Sequence, residues 1–143
     1  MRYMILYIGQ GDSMRSLQLN KLIFSGECKD ATTEVNTRRT SILRTILKDT
    51  GCKFTECQVV NKGTEEASFI VVPKNEYEAS FVLTLLLSKF ARESVLRINP
   101  DSSCYRLYDI NKEVYAGTFN SVPNGCRPGE YTVIKDGKSW SCQ

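Results

Sequence analysis

The apolar residues between Leu22 and Ile98 switch repeatedly between strand spacing and helix spacing, and this switching most limits the folds open to the chain. Lys21-Leu22-Ile23-Phe24-Ser25 is an apolar run of strand length. Gly26 to Asn36 is polar and reads as a loop. Ile42, Leu43, Ile46 and Leu47 then recur at helical spacing, with Asn36 or Thr37 as the cap and Gly51 as the stop. Arg38, Arg39, Arg44 and Lys48 lie off that stripe and are expected to form a solvated basic face. Lys53 to Val60 and Ala67 to Val72 read as two strands joined through Asn61-Lys62-Gly63, and Pro73 ends the second. Asn75 with Glu78 marks the next helix start. That helix, Tyr77 to Phe90, is apolar on most sides, so it calls for a thick local core or a subunit contact. Ser94 to Ile98 is a further strand.

The order β-α-β-β-α-β predicts an α+β fold: a ferredoxin-like antiparallel sheet with two helices on one face. Two more strand pairs follow it. Tyr105 to Ile110 and Glu113 to Phe119 are joined by Asn111-Lys112; Tyr131 to Ile134 and Lys138 to Cys142 are joined by Asp136-Gly137. They are expected to decorate the core as C-terminal β-hairpins. The whole is read as a single domain. Residues 1–19 form an N-terminal extension, 20–98 the ferredoxin-like core and 99–143 the β-rich remainder.

Composition narrows the chemistry. A length of 143 residues with 41% hydrophobic and 24% charged residues suits one globular domain. There is no histidine, so triads and dyads that use one are excluded within the chain. The net charge of +3 is too small for a dedicated nucleic-acid binder, and no apolar run is long enough to span a membrane. The short apolar stretch within Met1 to Ile8, cut by Gly9-Gln10-Gly11-Asp12, lacks signal-peptide features, so a cytoplasmic protein is expected. Its six cysteines then read as reduced thiols; no spacing suggests a zinc site, and no metal is expected.

Gly9-Gln10-Gly11 after an apolar run is a weak nucleotide-loop signal, because Met14 stands where a third glycine would be. Thr64-Glu65-Glu66 lies where a turn enters a strand. Adjacent strand residues face opposite ways, so only one of the two carboxylates can enter a given pocket. Glu93 opens another strand.

Several segments, in order, resemble the bacteriophage S-adenosylmethionine (SAM) hydrolases, also called SAM lyases. Glu34-Val35-Asn36 and Ser41-Ile42-Leu43-Arg44 are similar to the family's EVN…STLR stretch. Thr64-Glu65-Glu66 matches its TEE, and Glu93-Ser94-Val95-Leu96 resembles the strand start after its second helix. Gly117 to Gly125 resembles its GSFxxVPxG, and Tyr131-Thr132-Val133-Ile134 with Gly137 to Trp140 resembles its C-terminal end. The resemblance runs from about Leu22 to Gln143.

The resemblance implies a lyase in which the substrate's own carboxylate attacks the γ-carbon beside sulfur, giving homoserine lactone and 5′-methylthioadenosine. SAM is then the substrate, and no cofactor is needed. It implies Glu66 as the catalytic glutamate, with Phe54, Glu65, Arg92 and Glu93 at the substrate. Two positions depart from the family. Phe54 or Thr55, depending on a one-residue shift, stands for a strand tyrosine, and Arg92 stands for a glutamine. Phe54 would offer the sulfonium a cation–π face in place of the hydroxyl. The resemblance also implies a homotrimer with active sites between subunits, and a phage enzyme that depletes the cofactor of host restriction systems. Hydrolysis of the same bond and a non-catalytic SAM-, nucleotide- or protein-binding module are the alternatives; nucleic acid and membrane are not expected partners.

Overall fold

The computed structural model describes residues 20–61, 63–109, 111–123 and 131–142. The readings made for residues 1–19, the Gly9-Gln10-Gly11 signal among them, lie outside the described residues. In chain order the elements are β1 (Lys21–Ser25), α1 (Thr33–Asp49), β2 (Lys53–Asn61), β3 (Thr64–Val72), α2 (Glu76–Thr84), a π-turn (Leu85–Lys89), β4 (Val95–Ile98), β5 (Ser103–Asp109), β6 (Lys112–Val122), β7 (Tyr131–Lys135) and β8 (Lys138–Cys142).

The open ferredoxin-like sheet expected from the sequence is wrong. The eight strands close into a barrel in the order β1-β3-β2-β7-β8-β6-β5-β4, with β4 returning to β1 and every neighbour antiparallel. The physical reason lies at the sheet edges. Strands β1 to β4 alone would leave β2 and β4 with unpaired backbone groups on their outer sides. Strand β7 pairs with β2 from Gln58↔Ile134 to Asn61↔Tyr131, and β5 pairs with β4 from Val95↔Leu107 to Ile98↔Cys104. The C-terminal hairpins are therefore half of the wall, not decoration.

Alternation along each strand divides the apolar residues into two cores. Leu22 and Phe24 of β1, Phe69 and Val71 of β3, and Val95 of β4 point outward beneath the helices. They pack there with Leu43 and Leu47 of α1 and with Val82, Leu83, Leu86 and Phe90 of the second helical segment. Ile23, Cys57, Val59, Leu96, Ile98, Cys104 and Val133 point inward and fill the barrel. The greasy helix thus finds much of its burial on the barrel wall, while Tyr77 and Phe81 remain exposed.

Local chemistry moves some boundaries. Helix α1 starts at Thr33, not after Asn36: the Thr32 hydroxyl accepts from the Val35 N–H at 3.2 Å. Asn36 instead clasps the loop after β1, its Oδ1 accepting from Cys28 N–H and its Nδ2 donating to Cys28 O. The basic face is not simply solvated either. Arg44 makes a two-toothed contact with Glu56 at 2.7 and 2.9 Å. Strand β3 begins at Thr64 rather than Ala67, which places both Glu65 and Glu66 inside a strand.

Candidate active site

The inward-facing residues change character along the barrel. At one end they are the apolar set just described. Toward the other end they become Ser25 on β1, Thr64, Glu66 and Ser68 on β3, Asn61 on β2, and Arg106 and Tyr108 on β5. These residues, the loop after β1 and the loop before β4 surround a cavity of about 580 Å³, within the usual size of a small-molecule site. Three carboxylates line it, from Glu27, Glu66 and Glu93, and three cations, from Lys29, Arg92 and Arg106. Such a cavity suits a ligand that carries both signs of charge.

Strand pairing fixes the direction of Glu66. It sits opposite Val59, which points into the barrel core, so the Glu66 side chain also points inward. Its Oε1 lies 3.3 Å from Nη2 of Arg92, and its side chain is only 12% exposed. Glu65 pairs with Val60 and faces the outer surface, where it is exposed. The alternation expected for the two acids holds, and it sends the second one to the cavity.

Two loops finish the site. The carboxylate of Glu27 accepts from the Ala67 N–H at 2.9 Å, next to Glu66, at the point where β1 has left β3. The carbonyl of Glu27 accepts from Arg92 Nη1. On the other side, the π-turn ends as the Arg92 N–H donates to Leu86 O at 2.9 Å. Ala91 takes φ +52°, a left-handed conformation that turns Arg92 back over the barrel mouth. Arg39 of α1 then ties both loops together, its Nε donating to Gly26 O at 2.6 Å and its Nη2 to Phe90 O. Gly26 belongs here for a steric reason, since a Cβ would come within 3.0 Å of Leu43.

The residues selected from the sequence divide accordingly. Glu66, Arg92 and Glu93 are brought together around one cavity although they come from different elements. Phe54 lies on the other face of the wall, edge-on to Phe69 at 5.7 Å beneath the helices. Thr55, the other candidate for the tyrosine position, is exposed. Sequence reasoning missed Glu27, Arg39 and Arg106. Glu27 and Arg39 sit in a polar loop and a basic helix face, where nothing in the residue pattern marks them. Arg106 carries a detectable signal, a cation at an inward position of an apolar strand, but only once the barrel defines inward.

A model of the S-adenosylmethionine lyase family matches residues 22–143. The chain belongs to that family. Comparison with curated proteins found no match. Membership of the SAM lyase family supports SAM degradation as the activity, and SAM as the substrate. In this family member the acid singled out from the Thr-Glu-Glu turn is the one that the barrel directs into the cavity.

Proposed function

We propose that this SAM lyase family member converts SAM to L-homoserine lactone and 5′-methylthioadenosine without a cofactor. The carrying observation is the position of Glu66, inside the cavity and held on one oxygen by Arg92. Its other oxygen, Oε2, has no protein partner among the described residues and is left to meet the amine or the sulfonium. Bond changes balance within the substrate. One carboxylate oxygen forms a bond to the γ-carbon, the carbon–sulfur bond breaks, and its electron pair neutralises the sulfonium. No proton, water or protein nucleophile takes part in that step. The protein's task is to hold the folded conformer, with the carboxylate oxygen within reach of the γ-carbon and in line with the departing sulfur. Glu66 orients the cationic centre while the tail curls.

In the same proposal the protein acts in the bacterial cytoplasm during phage infection and removes the methyl donor that host restriction systems require. It assembles as a homotrimer, and the exposed Tyr77 and Phe81 of α2 offer apolar surface for that contact. Incubation of purified protein with SAM tests the chemistry. Methylthioadenosine and homoserine lactone are expected at neutral pH and early times. Homoserine with no lactone stage would establish hydrolysis instead, and intact SAM at high protein concentration would remove the reading altogether.

A further inference from the structure

Resting on the proposed SAM chemistry, we propose that Arg39 is a positioning residue: from the helix side of the wall it sets where Arg92 meets Glu66. The loop after β1 and the loop before β4 both contribute to the cavity lining, and neither is held there as a strand, since β1 ends at Ser25 and β4 begins at Val95. Two arginines join these loops. At the cavity, Arg92 donates to the Glu27 carbonyl through Nη1 and to Glu66 through Nη2. From α1, Arg39 donates to Gly26 O through Nε and to Phe90 O through Nη2. Gly26 immediately precedes Glu27, and Phe90 lies two residues before Arg92. The contacts therefore close a circuit from Arg39 through Gly26 and Glu27 to Arg92, and back through Phe90.

That circuit reaches the cavity acid through the Arg92–Glu66 pair, a single contact at 3.3 Å. Such a contact has little grip of its own, so its geometry follows from where the loop delivers Arg92. The chemistry of Arg39 suits bracing rather than binding. Its side chain is not part of the cavity lining, and both of its hydrogen bonds go to carbonyls, one on each loop. Its guanidinium also lies over the Phe90 ring, 5.3 Å from the centroid. The Phe90 carbonyl belongs to the C-terminal end of the π-turn, where a cation is favourable. A planar fork reaches two carbonyls in fixed directions, whereas a lysine ammonium is a point charge on a flexible stem. The neighbouring Arg38 is exposed, so the same charge stands one residue away without this role. Loosening the two loops should be felt chiefly on binding, because a bound ligand must then order them again.

Steady-state cleavage of SAM by the full chain tests this. Arg39→Gln is expected to lower kcat/KM about tenfold, mainly through KM, as for lost hydrogen bonds from a charged group. Arg38→Gln should stay within about twofold of the wild type in the same assay. Arg39→Lys should fall between the two, because it keeps the charge and loses the fork; it replaces Arg39→Gln in every comparison if that variant does not fold. A cycle with Arg92→Gln supplies the deciding readout. Once Arg92 is replaced, Arg39→Gln should cost less than about threefold more, since it acts through Arg92. A role confined to stability would lower the melting temperature and the active fraction, leave KM unchanged and show full additivity with Arg92→Gln. That outcome would overturn the assignment while SAM cleavage by the wild type stood, as would equal losses from Arg38→Gln and Arg39→Gln. A wild-type chain that does not cleave SAM overturns both this assignment and the reading it rests on.

Discussion

The two neighbouring glutamates of β3 show how much one residue step decides. Glu66 shares a face with Val59 and enters the cavity; Glu65 shares a face with Val60 and meets solvent. Glu66→Gln is expected to lower turnover of SAM by about 10²–10³-fold, the scale for removing one preorganised electrostatic contact at a reacting centre, while unfolding stays cooperative at a somewhat lower temperature because Arg92 loses its carboxylate partner. Glu65→Gln should stay within about twofold, and a loss equal to that of Glu66→Gln would mean that the face assignment is wrong. A second residue-scale test concerns Glu56. Its hydrogen bond to Arg44 holds its carboxyl below the usual range, so the pair stabilises the fold above that range and the contribution disappears as pH falls through the lowered pKa. Both side chains are partly exposed, so Glu56→Gln should cost only about 0.5 kcal/mol at pH 7, and nothing near pH 2, in urea titrations. Burial acts the other way on Cys57, pushing its thiol from 9.0 up to about 11. Its contribution is complete below 9 and is lost as pH rises toward 11, and alkylation should spare it in the native state. Cys28 is exposed at the cavity rim and should be alkylated first among the cysteines of the described residues, more slowly when S-adenosylhomocysteine is bound.

At the scale of elements, the segment from Asn75 to Ser94 links core packing to the site. Asn75 caps α2 by accepting from the Glu78 N–H at 2.8 Å, while Glu78 accepts from the Lys74 N–H at 3.0 Å. That reciprocal arrangement is readable from residue spacing alone, and Asn75→Ala should cost about 1 kcal/mol in thermal or urea unfolding. The π-turn that follows was not readable. Leu85 to Lys89 has the composition of an ordinary helix, and the wider turn arises where the chain must leave the barrel wall and deliver Arg92 to its mouth. Ala91 takes up the resulting change of direction at positive φ, where a side chain costs about 1 kcal/mol. Relief of that strain is offset by the greater freedom of glycine in the unfolded chain, so Ala91→Gly is expected to change stability by less than about 1 kcal/mol in urea unfolding. Because it loosens the loop that holds Arg92 against Glu66, it should also raise KM for SAM more than it lowers kcat.

For the whole molecule, closure is the decisive event. Strands β7 and β8 complete the wall, so a chain ending at residue 123 leaves Gln58 to Asn61 of β2 and Phe119 to Val122 of β6 without their pairing partners. Such a chain should lose cooperative unfolding and native-like NMR dispersion; a stably folded fragment would show that the first strands form a self-sufficient sheet. The sequence by itself determined the succession of strands and helices, the apolar faces, the Asn75 cap, the Asp136-Gly137 turn and the acid-bearing strand, because each depends on periodicity or on spacing within a few residues. The family, too, was legible in scattered short segments. Only the tertiary structure decided that the sheet closes, that Phe54 packs beneath the helices, and that Glu27, Arg92 and Arg106 converge on the space in front of Glu66. Those facts depend on which strand edge meets which across long stretches of chain, and residue periodicity says which face of a strand is buried but not which edge it will pair with.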